Sequence, residues 1–227
     1  MLSTTCSSES SARLITMLRL QDQINSKINV AWTQAQNCWY RAIWTECAEM
    51  MDHVGWKWWK NQVPNVEQVH LELVDIFHFG LSELIVTSGS VHAASTSGGA
   101  AYQSIEVAPK DGIVEPELLL NSIEDFARSS LASKSFCMEM FSRLCISAGL
   151  VGDDLYRKYV GKNVLNTFRQ DYGYKDGSYV KIWGGREDNE WLVEIGARVR
   201  ASADEFPLEL YRELEKAYQS HAALDGK

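Results

Sequence analysis

"TECAEM" (45–50) and, further along, "LELVDIFHF" (71–79) decide how this chain is read. Glu46 and Glu49 stand three residues apart, and Glu72 and Asp75 repeat the spacing. On a helix, residues three apart share a face, with Cβ atoms about 5–6 Å from one another. Two carboxylates placed so repel, and burying them unpaired costs several kcal/mol, so something positive should sit between them. One such pair is usually a solvated helix face. Two pairs set among apolar residues, on helices joined by a short connection, predict four carboxylates that converge between packed helices. Hard oxygen ligands in that number suit Mg²⁺ or Mn²⁺, with water and phosphate oxygens in the remaining positions.

Helical periodicity extends outward from these blocks. Residues 11–28 read as an amphipathic helix with Leu14, Met17 and Leu18, and further on Gln21 and Asn25. Residues 34–53 form a second helix, which carries Glu46 and Glu49. Gly55 and Pro64 break it within "GWKWWKNQVPN" (55–65), and Asn65 followed by Gln68 resembles a capping-box start. A third helix then covers 66–86, with Leu71, Val74, Phe77, Leu81 and Leu84 on an apolar stripe. In "TSGSVHAASTSGGAAYQS" (87–104), fourteen of eighteen residues are Ser, Thr, Gly or Ala. Such a stretch has little apolar surface to offset the ordering of its backbone, so it reads as a flexible loop, either a lid or a tolerated insertion. Helices resume at 115–132, 134–149 and 152–171, a Gly- and Tyr-rich loop spans 172–188, and two closing helices cover 188–200 and 204–222. Strand signals are scarce and no repeat of fixed period is present. The expectation is one all-α domain over 1–227, a helical bundle with a four-helix metal-binding core and a mobile insertion at 87–104.

Composition narrows the function. At 227 residues the chain is long enough to bury a substantial core. A net charge of −8 argues against general affinity for nucleic acid or acidic membranes, and an anionic substrate would need bound cations or a local basic cluster. Five cysteines without a C-x-x-C pair exclude a conventional zinc ribbon and disfavour a disulfide framework, so a reduced cytoplasm fits best. No apolar run is long enough to span a membrane, and the N-terminus does not read as a secretory signal.

Other residues flank the carboxylates. His78 and Phe79 follow Asp75 by three and four, beside the acidic face. Asp75-x-x-His78 is also half of a di-iron carboxylate motif, but the Glu46/Glu49 helix lacks the second half, and His53, four after Glu49, has the wrong spacing. His78 is then either a hydrogen-bonded core histidine or a substrate contact. Six of eight tryptophans crowd into residues 32–59; most belong to the core, and one or two near the carboxylates would wall a base. Towards the C-terminus, "GKNVLNTFRQDYGYKDGSYVKIWGGREDNE" (161–190) gathers Lys162, Arg169, Lys175 and Lys181 in an otherwise acidic chain. It is not a P-loop. Lys162, Asn166 and Arg169 fall on one helical stripe, where Arg169 is either a bidentate phosphate clamp or a salt-bridge partner.

Four blocks, "LRLQDQIN", "ECAEMMDHVGWKWWK", "ELVDIFHF" and "YVGKNVLNTFRQDYGYKDGSYVKIWGGREDN", stand in an order that resembles the dimeric dUTPases, a branch of the all-α, MazG-like nucleoside triphosphate pyrophosphatases. The likeness covers roughly residues 17–82 and 156–191. It implies Mg²⁺-dependent hydrolysis of dUTP to dUMP and pyrophosphate, with attack at the β-phosphate, by a homodimer, to which the composition adds a cytoplasmic location and no nucleic-acid or membrane partner. It implies that Glu46, Glu49, Glu72 and Asp75 hold the metal, two or more ions, with Mn²⁺ as a substitute. Gln21, Asn25, Trp59, His78 and Phe79 would lie near the deoxyuridine, and Lys162, Asn166, Arg169, Lys175 and Lys181 would bind phosphates. Glu49 is the residue expected to orient and deprotonate the attacking water, with Glu46 equivalent by spacing. The alternatives are a relative that prefers dCTP or takes both nucleotides, a nucleotide-binding regulator without turnover, and a di-iron carboxylate bundle, for which the basic C-terminal block has no purpose.

Overall fold

The computed structural model describes residues 2–110 and 115–225, with side chains from 8 to 110 and from 115 to 221. The chain divides into two compact units, residues 1–156 and 157–227. Among the described residues the structure is almost wholly helical, as the periodicity predicts.

The first unit holds α1 (Leu2–Ile28), α2 (Trp39–Val54), α3 (Val66–Ser88), α4 (Val91–Val107), α5 (Pro116–Ser133) and α6 (Met138–Ser147), with a single 3₁₀ turn at Trp32–Gln34. α2 ends at Gly55, whose φ of 89° closes the helix in the left-handed conformation that glycine adopts without strain. The 55–65 connection returns the chain, and the Asn65 N–H donates to the His53 carbonyl at 2.9 Å. Asn65 caps α3 through its side chain, which accepts from the Gln68 N–H. α2 and α3 therefore pack along their length. Behind them, Phe77 of α3 stacks on Phe141 of α6 at 4.7 Å, and Phe126 and Phe136 complete an aromatic core. Gly80 makes this possible: a Cβ there would lie 2.5 Å from the Phe136 ring.

One expectation fails. Residues 87–104 are not a flexible loop. α3 runs through Ser88, Gly89 ends it, and α4 begins at once, with the Ser90 hydroxyl accepting from the Ala93 N–H as N-cap. The small residues that suggested a loop let this helix approach its neighbours closely. A Cβ on the buried Gly98 would meet Leu84 at 3.1 Å and Leu14 and Met138 at 3.7 Å. At the far end, Glu106 accepts from Ser10, Arg13 and Tyr102, which ties α4 to α1.

The second unit takes in most of α7 (Asp154–Asp171), a two-residue hairpin of β1 (Ile182–Trp183) and β2 (Arg186–Glu187), α8 (Asp188–Arg198) and α9 (Phe206–Asp225). In the hairpin, Ile182 pairs with Glu187 and Trp183 with Arg186. Its core is aromatic: Phe168 packs with Tyr172, Tyr179, Trp183, Tyr211 and Tyr218.

Candidate active site

α2 and α3 bring carboxylates together as their spacing predicts. Glu46, Glu72 and Asp75 each place an oxygen within 4.8 Å of the others. Glu72 is buried and Glu46 and Asp75 are half-buried. The Glu46 carboxyl is pushed up to about 7, by burial first, then by the charge of Asp75, the hydrogen bond with Glu72 and the charges of Glu49 and Glu72. Burial also raises Glu72, against the pull of its bond with Glu46 and of His53. Glu49 adds its charge to both but is exposed and stands outside the tight trio.

The trio fits a hard divalent cation. Its donors are all carboxylate oxygens, each within 4.8 Å of the others and at least partly withdrawn from water. His53 Nε2 lies 3.3 Å from Glu72 Oε1. This contact escapes a reading based on motifs, although His53, four after Glu49 and seven after Glu46, shares their helical face.

Beside the carboxylates a polar cluster joins α1 to α3. Gln21 donates to Asn25 Oδ1 at 3.2 Å and to Ser82 Oγ at 3.0 Å. Asn25 donates to Ser82 Oγ at 2.9 Å, and Ser82 donates to the His78 carbonyl at 2.9 Å. His78 Nδ1 lies 2.8 Å from Gln21 Oε1. Phe79 lies against Trp39 at 6.4 Å, and Trp39 meets Trp32 edge-on at 6.3 Å. Trp59, by contrast, packs edge-on with Trp56 and Trp58 and is more than half exposed. Ser82 has no place in the motif reading: its spacing four after His78 accounts only for the carbonyl contact within α3, and the amides it meets come from α1.

A sequence model of the dUTPase family matches residues 13–174. The chain belongs to the dUTPase family. It is a dUTP diphosphatase, and the di-iron alternative is set aside. No curated protein matches it. The matched segment contains the four acidic residues, the α1–α3 polar cluster, Trp59, Lys162, Asn166 and Arg169, and ends before Lys175 and Lys181.

The second unit of this dUTPase holds all five residues expected at phosphate. Lys162, Asn166 and Arg169 lie on α7 and are half-buried. Lys175 and Lys181 are exposed, and Lys181 pairs with Glu187 at 3.3 Å. Arg169 is engaged from two sides. Its Nε and Nη2 hold Asp188 at 2.8 and 2.9 Å, and its Nη1 donates to Asn166 Oδ1 at 3.4 Å. Asp188 is fully buried and also accepts from the Tyr179 hydroxyl at 2.8 Å. The hydrogen bond to Asp188 is the main cause that raises the Arg169 guanidinium above its ordinary range.

Proposed function

We propose that this dUTPase hydrolyses dUTP to dUMP and pyrophosphate with Mg²⁺, limiting uracil incorporation into DNA and supplying dUMP. The observation that carries the reading is the convergence of Glu46, Glu72 and Asp75, with Glu46 pushed up to about 7, in a chain of the dUTPase family. Glu46, Glu49, Glu72 and Asp75 are the residues that would hold the ions, with Mn²⁺ an acceptable substitute. Bound there, Mg²⁺ supplies Lewis acidity toward the phosphoryl oxygens.

Glu49, exposed and outside the trio, orients the attacking water and takes its proton. Attack at the β-phosphorus breaks its bond to the bridging oxygen, which leaves with dUMP. Lys162, Lys175 and Lys181 neutralise phosphate charge, and Arg169 serves the same set by holding Asn166 in place. Gln21, Asn25, His78 and Phe79 surround the deoxyuridine, with Trp59 closing on it from the 55–65 connection. The active form is a homodimer in the cytoplasm.

The test is a panel of dUTP, dCTP, dTTP and UTP with pyrophosphate detection, in Mg²⁺ and in chelator. The expected result is a preference for dUTP of at least ~10²-fold in kcat/KM, lost with chelator, because a mismatched base leaves buried polar groups unpaired. Hydrolysis of none of the four would overturn the reading. Equal turnover of dCTP would overturn the base assignment while leaving the metal mechanism.

A further inference from the structure

We propose that Ser82 sets the base selectivity of this enzyme by locking the amides of Asn25 and Gln21 in one orientation. The inference rests on the dUTPase reading, with Asn25 facing the base.

A serine hydroxyl has one hydrogen. In Ser82 it goes to the His78 backbone oxygen, 2.9 Å away, which accepts only. Ser82 Oγ is therefore an acceptor toward its other two neighbours, Gln21 at 3.0 Å and Asn25 at 2.9 Å. Both amides must turn their NH₂ ends to it. Gln21 then gives its other hydrogen to Asn25 Oδ1 and turns its carbonyl to His78, which requires the imidazole hydrogen on Nδ1. One hydroxyl thus orients two amides and a histidine ring. Flipping either amide would set oxygen against oxygen, where Ser82 is 0 % and Gln21 5 % exposed.

Asn25 is half-buried, and beyond these contacts its amide keeps one hydrogen on Nδ2 and one lone pair on Oδ1. Those two ends cannot trade places while Ser82 holds them. Uracil and cytosine differ by just that trade: uracil offers a donor at N3 and an acceptor at O4, cytosine an acceptor at N3 and a donor at N4. An amide free to flip serves either base, whereas a locked amide serves one. Ser82 is accordingly a positioning residue that touches no substrate.

The test compares wild type, Ser82→Ala and Ser82→Thr by the ratio of kcat/KM for dUTP to that for dCTP. Threonine keeps a hydroxyl able to bond the carbonyl four residues back. The ratio should hold in Ser82→Thr and fall at least tenfold in Ser82→Ala, chiefly through a lower KM for dCTP. A ratio unchanged in Ser82→Ala, with both nucleotides slowed alike, would show a merely structural serine and overturn the proposal, as would a wild type that takes both nucleotides equally. Imidazole ¹⁵N shifts in the wild-type protein test the lock without any turnover or variant. His78 should be the Nδ1–H tautomer, and an Nε2–H tautomer would overturn the lock even if Ser82→Ala does not fold. If wild type hydrolyses no nucleotide while His78 is the Nδ1–H tautomer, the dUTPase reading fails and takes the selectivity role with it.

Discussion

A carboxyl that keeps its proton up to about pH 7, as Glu46 does, binds that proton more tightly in the folded than in the unfolded chain, where its ordinary value is 4.5. Its contribution to stability is therefore fully present below pH 4.5 and is lost as the pH rises through 7; Glu72 is raised in the same direction. Metal-free protein should melt at a lower temperature at pH 8 than at pH 5. Glu46→Gln should flatten that fall, and added Mg²⁺ should reverse it at pH 8. Calorimetry across this window checks the sign; a metal-free Tm that rises toward pH 8 would refute it. Glu49 makes the complementary case. Exposed and outside the trio, its replacement by Gln should change stability by less than about 1 kcal/mol while lowering kcat by ~10²-fold or more. Wild-type turnover in that variant would remove Glu49 from the mechanism. The convergence of Glu46, Glu72 and Asp75 was legible because acidic residues repeated at helical spacing among apolar ones share a face on two packed helices, whereas Glu49, at the same spacing, stands outside the trio. His53 and Ser82 were not, because each is defined by a partner on another helix, Glu72 for the one and Gln21 and Asn25 for the other.

At the scale of elements, α2 and α3 follow from apolar stripes, caps and a Pro-containing connection, all local features. α4 does not. Its buried stripe, Ala94, Gly98, Ala101, Tyr102 and Ile105, is made mostly of small residues that read as loop composition, and these let it approach Leu14, Leu84 and Met138 closely. A helix held by packing should resist proteolysis. Limited digestion without ligand should spare 91–107, at a rate that a non-hydrolysable dUTP analogue leaves unchanged. Early cleavage there, slowed by the analogue, would restore the lid. The sequence reads Arg169 as a phosphate clamp with a salt bridge as the alternative, and its partner Asp188 stands nineteen residues on, too far for any helical rule to pair them. Asp188 is 0 % exposed, so Arg169→Ala leaves a buried charge held by the Tyr179 hydroxyl alone among the side-chain donors described. That change should cost about 3 kcal/mol or more, read as a lower denaturant midpoint, before any effect on KM is interpreted. A loss under about 0.5 kcal/mol would return Arg169 to the phosphate.

Over the whole molecule, charge poses the remaining problem. The chain carries 30 acidic against 22 basic residues, a formal net charge of −8, and its substrate is a polyanion. In the first unit Glu46, Glu72 and Asp75 crowd within 4.8 Å, with Glu49 adding its charge, so a triphosphate placed there as proposed would be repelled unaided. The basic residues proposed for phosphate lie in the second unit, where Arg169 and Lys181 already answer Asp188 and Glu187. On the proposed reading the cation matters for binding as well as for chemistry. Isothermal titration of a non-hydrolysable dUTP analogue into the intact protein should show a Kd at least ~10²-fold weaker in chelator than in Mg²⁺, about 2.7 kcal/mol of binding free energy. The Mg²⁺-dependent affinity should also fall as Glu72→Gln or Asp75→Asn removes negative charge that attracts the ion. Equal affinity with and without divalent cation would mean that the basic residues alone hold the triphosphate, and would leave the acidic trio without the role its geometry proposes.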